Sequence, residues 1–229
     1  MGGGTLPVVT LRGQAVDLLL PAICAGCGAP GAACCAECLG EFARPSRIAR
    51  GPTADVPIYA LAGYDGVARR LVLAFKERRR RDLAASLGGV LAGTLPYLPD
   101  ARADGDGVWW LVPAPSRRSA SRVRGGPHLM RLARACAAAL ARDGHSVAVA
   151  PALRLGRGAR DAVGLDQARR AANLAGRLRL DPRGLPAPGA SVVLLDDVVT
   201  TGTTAAACSR ALVEGGFSVS LVLALTAAG

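Results

Sequence analysis

Apolar residues along this chain alternate between short unbroken runs and longer stretches where they recur every three or four positions, and the two periods separate strands from helices. Residues 10–20 carry the helical spacing and stop at Pro21, which predicts a short helix. Residues 56–64, 108–112, 147–153, 192–195 and 219–225 read as strands, the fourth of them, Val192-Val-Leu-Leu195, as a fully buried one. Helical spacing covers 66–94 in two stretches divided by an arginine run, 129–142, and a segment from about 203 to 214. Residues 44–55 and 181–190, with their prolines and glycines, predict linkers, while 96–107 and the Arg- and Gly-containing 156–164 predict loops. Apolar strands alternating with helices describe a doubly wound α/β core, a parallel sheet covered on both faces.

The chain has 229 residues, 51% of them hydrophobic, which suits one globular domain with a small appendage and excludes a disordered or fibrous class. The division expected is 1–50 and 51–229. The formal charge of +11 is unevenly placed. Residues 1–50 carry four basic and three acidic groups, 51–190 carry 23 and 11, and 191–229 carry one and three, so the middle faces anions. Lys76 is the lone lysine among 28 basic residues. The longest uncharged stretch, 18–36, is broken by Pro21, Pro30 and glycines and lacks the apolar density of a membrane span. Asp17 interrupts the apolar segment that a secretory signal would need, so the expected location is cytoplasmic, without membrane insertion.

The sharpest chemical signal is the string from Val192 to Thr204. A buried strand delivers Asp196 and Asp197 at its carboxyl end, where ligands sit in open α/β sheets. Two adjacent carboxylates cannot be buried unpaired, so they must meet water, a cation or a hydroxyl-bearing ligand such as a sugar diol. Thr200, Thr201, Gly202, Thr203 and Thr204 then wrap into a helix start whose amide N–H groups and dipole favour an anion. Carboxylates for a ribose beside a nest for its 5′-phosphate describe a phosphoribosyl site. The alternative is a turn whose threonines merely cap the helix.

This string resembles the phosphoribosyl pyrophosphate (PRPP) signature of type I phosphoribosyltransferases. The resemblance implies their parallel sheet flanked by helices, with Asp196 and Asp197 on the ribose hydroxyls and Thr200 to Thr204 on the 5′-phosphate. It also places Pro115, Ser116 and Arg117 in a pyrophosphate-binding loop, with Mg²⁺ arriving on PRPP. Thr200 stands where the hypoxanthine-guanine enzymes carry a base-contacting aspartate, a departure that argues against that kind of purine salvage.

Cys24-Ala-Gly-Cys27 and Cys35-Ala-Glu-Cys38 form two C-x-x-C pairs, the pattern of a tetrahedral structural zinc site in a segment too poor in large apolar residues to fold alone. Cys34 is an alternative to Cys35 as third ligand, and Cys136 and Cys208 fall in helices as small core residues. A zinc knuckle joined to a PRPP signature resembles the ComF, or GntX-like, family of competence-associated proteins. Further stretches are similar, among them Ala74-Phe-Lys76 and Val112-Pro-Ala-Pro115, whereas Gly126-Pro127-His128 departs from the family's aromatic and Asn-Gln. The resemblance implies a protein that binds PRPP with Mg²⁺ and transfers phosphoribose to an acceptor that the sequence does not identify. It implies, as the alternative, a non-catalytic adaptor for single-stranded DNA and competence proteins.

Arg69, Arg70, Lys76 and Arg78 to Arg81 place seven cations in thirteen residues, either a positive face for nucleic acid or a solvated surface. Only eight aromatic residues argue against a reader that stacks bases, and Trp109 and Trp110 read as core or interface. Arg154, Arg157, Arg160 and Asp161, followed by Gln167 and Arg170, lie where the resemblance to the type I class implies a hood over the sugar, and read either as a cationic lid or as an ordinary exposed loop. His128 and His145 show no partner in the sequence and read as structural.

Overall fold

A computed structural model describes residues 22–49, 56–115, 128–156 and 177–229. The helix expected at 10–20, residues 50–55 of the linker expected at 44–55, Ser116 and Arg117, and the lid residues from Arg157 to Arg170 lie outside them, while the described part of that linker holds a two-residue strand.

Six strands form one sheet: β1 (Ser46–Arg47), β2 (Ile58–Gly63), β3 (Trp109–Pro113), β4 (Val147–Val149), β7 (Ser191–Val199) and β8 (Ser218–Ala227). Their order is β1-β2-β8-β7-β3-β4, and every pairing is parallel except β1 with β2. The chain is therefore a mixed α/β protein with a mostly parallel central sheet. Helices α2 (Gly66–Glu77), α3 (Leu83–Thr94) and α4 (His128–Arg142) lie in the crossovers from β2 to β3 and from β3 to β4, while α5 (Thr203–Glu214) links β7 to β8. The first two crossovers run toward the β4 edge and the last runs the other way. Right-handed connections then put α2, α3 and α4 on one face and α5 on the other. The direction reverses between β3 and β7, and in such sheets the crevice beyond the strand ends at this reversal receives ligands.

Packing explains the layers. Val192, Val193, Leu194, Leu195 and Leu221 to Leu225 are all fully buried, as unbroken apolar runs covered on both faces must be. Helix α3 approaches α4 at Gly88, where a Cβ would stand 2.6 Å from the Ala135 Cβ and 2.7 Å from the Cys136 amide nitrogen. Only glycine permits that approach. Cys136 and Cys208 are buried in the core as expected, and burial pushes the Cys136 thiol up to about 12. Trp109 is buried edge-on to His145, and Trp110 donates from Nε1 to Asp104 Oδ2 at 2.6 Å, so neither ring offers a stacking platform.

Three sequence expectations change. The strand expected over 147–153 divides at Pro151, whose missing N–H cannot join a ladder, into β4 and β5 (Leu153–Leu155). Strand β5 pairs antiparallel with β6 (Leu178–Leu180), just ahead of the linker expected at 181–190, in a separate two-stranded ribbon. Strand β7 runs to Val199, past the carboxylate pair, because hydrogen bonding to β8 continues through Val198 and Val199. Among the described residues no helix is long and apolar enough to cross a membrane.

Candidate functional site

The Asp196–Asp197 pair sits in β7 beside the switch between β3 and β7, where Ala114 N–H donates to the Leu195 carbonyl at 2.8 Å. That bond brings Pro115, the described member of the expected pyrophosphate loop, to the same edge. The two carboxyls lie within reach of each other, but their remaining surroundings differ.

Asp196 lines a cavity of about 20 Å³ together with Val198, Val199, Thr200, Gly202, Thr203, Thr204 and Ala205. Its Oδ1 accepts from the Asp197 backbone N–H at 2.9 Å, which fixes the carboxyl. Burial, followed by the charge of Asp197, raises the Asp196 carboxyl far above its ordinary range, to about 7.

Asp197 is not among the residues lining that cavity. Lys76 Nζ, from α2, lies 3.2 Å from its Oδ1 and 2.9 Å from its Oδ2, and His128 Nε2, at the start of α4, donates to Oδ2 at 2.7 Å. Burial pushes this carboxyl up, but the His128 hydrogen bond and the Lys76 charge outweigh it and hold the group below its ordinary value. The requirement that the pair meet a cation is thus met for Asp197 inside the chain. Sequence reasoning missed His128 because its partner lies 69 positions away. Its place beside the departure at Gly126-Pro127 was the one available signal.

The cradle is built by Gly202, which precedes α5 with φ 73° and ψ −2°, a left-handed conformation that a Cβ disfavours. No side chain caps this helix, and the Thr201 and Thr203 hydroxyls bond each other at 2.9 Å. The amides of the first turn have no acceptor within the helix and point where an anion would sit. Thr200, Gly202, Thr203 and Thr204 line the cavity with Asp196. The reading of these threonines as helix caps finds no support in this geometry.

Near the N-terminus, the sulfurs of Cys24, Cys27, Cys35 and Cys38 all lie within 4.8 Å of one another. Cys35 Sγ is 3.7 Å from both Cys24 Sγ and Cys27 Sγ. A tetrahedral zinc with ~2.3 Å bonds sets its sulfurs roughly 3.8 Å apart, so the set fits that ion. Cys34 is outside it: its Sγ turns to the Cys35 carbonyl, and burial pushes its thiol up to about 12. Burial acts the same way on Cys24, but the amides of Cys27, Cys35 and Gly26 outweigh it and lower that thiol to about 6, favouring the thiolate a metal needs. The second pair sits on the short helix α1 (Ala36–Gly40) and its preceding residue.

The arginine run is largely engaged within the chain. Arg70 Nε donates to the Gly26 carbonyl at 2.6 Å, and Arg80 Nη2 to the Ile23 carbonyl at 3.0 Å while pairing with Asp82. Arg69 lies over the Tyr64 ring, and Lys76 faces Asp197. Arg70 and Arg80 fasten the cysteine module, Lys76 meets the site and Arg69 packs on a ring, so the run is not a uniform free positive face.

No protein-family model and no curated protein matches the sequence. Solved structures do. UMP synthase of Leishmania donovani is 16% identical with a TM-score of 0.36 over 82% of this chain, which spans 30% of that protein. An adenine phosphoribosyltransferase is 13% identical, TM-score 0.34, over 83% of this chain and 88% of its own. Adenine phosphoribosyltransferase of Saccharomyces cerevisiae, complexed with an imino-altritol bisphosphate and adenine, is 15% identical, TM-score 0.32, over 81% and 85%.

Proposed function

We propose that this protein is a ComF-like phosphoribosyltransferase-type protein that binds PRPP with Mg²⁺ and transfers its phosphoribosyl group to a nucleophilic acceptor. The observation that carries the reading is the cavity in which Asp196 faces the uncapped start of α5 across Gly202. The amides of the first turn and the hydroxyls of Thr200, Thr201, Thr203 and Thr204 receive the 5′-phosphate, the Asp196 carboxylate accepts from a ribose hydroxyl, and Asp197 supplies a fixed negative charge beside it. Pro115, Ser116 and Arg117 take the pyrophosphate.

In the transfer, the acceptor's electron pair forms the bond to the anomeric carbon as that carbon's bond to pyrophosphate breaks, and the pyrophosphate leaves with both electrons. Mg²⁺ arriving with PRPP would supply charge neutralisation for the leaving pyrophosphate, beside the Pro115, Ser116 and Arg117 loop. The chain's part is positioning, together with the nearby carboxylates' stabilisation of a cationic ribosyl centre. The four-cysteine set leaves no open coordination position, so zinc there is structural. The division expected at residue 50 would make this knuckle a separate module seated on the catalytic domain.

The test is a screen of nucleophilic acceptors for PRPP-dependent pyrophosphate release, with the Asp196→Asn, Asp197→Asn double variant as blank. Release by the native protein alone supports transfer. Release equal in both, or in neither, contradicts it.

A further inference from the structure

Three polar groups from three elements meet below the cradle: Asp197 on β7, Lys76 on α2 and His128 on α4. The side chains of Asp197 and His128 are each 5% exposed and that of Lys76 is 28% exposed. Such a cluster is a poor device for stability, because desolvating the charges costs about what their attraction returns, and apolar residues of similar volume serve as well or better. Its place is also specific. Asp197 is covalently next to the acid that lines the cavity, and its own N–H holds Asp196 Oδ1. Whatever fixes Asp197 fixes the carboxyl of Asp196. Composition adds a second sign: in a chain that uses arginine for nearly every cation, the single lysine stands on this pair. An ammonium is a compact charge that can approach both oxygens of a carboxylate, as Nζ does here.

We propose that Lys76 and His128 are positioning residues for the phosphoribosyl site: they hold Asp197 ionised on the α2 and α4 side of the sheet and so set the orientation and charge of Asp196 in the cavity. The inference rests on the PRPP reading above and adds the residues that tune it. Among the described residues, the titratable and charged groups facing the couplet are Lys76 from α2, His128 from α4 and Cys208 from α5. The neighbouring strand β8 contributes the neutral Thr226 hydroxyl, which donates to the Asp197 carbonyl at 3.2 Å. With Lys76 gone, the Asp197 charge acts on Asp196 unopposed and Asp196 holds its proton to higher pH.

The experiment uses the full zinc-loaded chain. Carboxyl resonances of ¹³C-aspartate-labelled protein are followed from pH 5 to 9 without ligand, Asp196 being assigned with Asp196→Asn, and Mg²⁺-PRPP affinity is measured by calorimetry at pH 7.5. Lys76→Met, Lys76→Arg, His128→Ala and His128→Gln are compared, with zinc content and thermal melting reporting the fold. The expected results are an alkaline shift of the Asp196 titration in Lys76→Met but not in Lys76→Arg, affinity at least tenfold weaker in Lys76→Met and His128→Ala, and affinity within about threefold of the native protein in His128→Gln. A folded Lys76→Met with native titration and native affinity overturns the positioning role, as does His128→Gln as weak as His128→Ala. Native protein that fails to bind Mg²⁺-PRPP counts instead against the function proposed above.

Discussion

Arg70 donates to the carbonyl of Gly26 at 2.6 Å across 44 positions of sequence, so the helix that presents Lys76 to the carboxylate pair is also the helix on which the cysteine module is seated. Gly26 makes the seat possible, since a Cβ there would stand 2.8 Å from Cys38 Sγ and 3.0 Å from Val67 Cγ1. Arg70→Ala is expected to lower global stability by only about 0.5–1.5 kcal/mol, the net value of one hydrogen bond. Hydrogen exchange in residues 22–42 is expected to rise much more than exchange in β7 or β8. Gly26→Val is expected to be the harsher change and to lower zinc affinity, read by competition with a chelator.

Zinc content tests the ligand set. Cys24→Ser and Cys35→Ser are each expected to abolish stoichiometric zinc, and Cys34→Ala to retain it, because the Cys34 thiol faces the Cys35 carbonyl rather than the other sulfurs. In Co²⁺-substituted protein, the thiolate charge-transfer absorption should be native in Cys34→Ala and lost in the other two.

Much of this was legible in the sequence, and what was not has identifiable physical causes. The C-x-x-C pairs, the acidic couplet and the threonine-glycine turn are local, so their spacing carries their chemistry into the fold unchanged. The different surroundings of the couplet, Asp196 at the cavity and Asp197 against Lys76 and His128, depend on contacts distant in sequence and emerge only with the fold. Long-range partners were not legible: His128 and Lys76 are assigned by the crossovers that bring α2 and α4 to one face, and the local signs, the Ala74-Phe-Lys76 likeness and the departure beside His128, name no partner. Ribbon β5–β6 was hidden because the ladder break at Pro151 leaves only three-residue strands, too short for a period to register.

The packing of α3 on α4 predicts the cost of a single methyl. Gly88→Ala places a Cβ against the backbone of Cys136, which cannot move as a side-chain tip can. The expected loss is about 1–3 kcal/mol in urea denaturation, the range for overpacking a close-packed core. Gly89→Ala, one residue along with open space around its Cβ, is expected to be neutral or slightly stabilising.

Asp196 makes stability depend on pH in a stated direction. Its folded value of about 7 lies above the ordinary 3.8, so the folded protein binds the proton more tightly than the unfolded chain does. The contribution is fully present below about pH 4 and is lost as pH rises toward 7. Asp197, shifted the other way, contributes above 3.8 and loses its contribution only in stronger acid, outside that window. Between pH 4.5 and 7.5, Asp196→Asn is expected to flatten the fall in denaturation free energy seen in the native protein. It should leave a more stable protein at pH 7.5. An equal fall in both proteins would place the titrating group elsewhere.

The central claim is that the cavity between Asp196 and the start of α5 is a phosphoribosyl site. Calorimetric titration of the zinc-loaded protein with PRPP at millimolar Mg²⁺ tests it most directly, with Asp196→Asn and Gly202→Val alongside. Saturable one-to-one binding, weakened at least tenfold by either substitution, is the predicted result. Absence of binding to the native protein, or binding that both substitutions leave untouched, contradicts it.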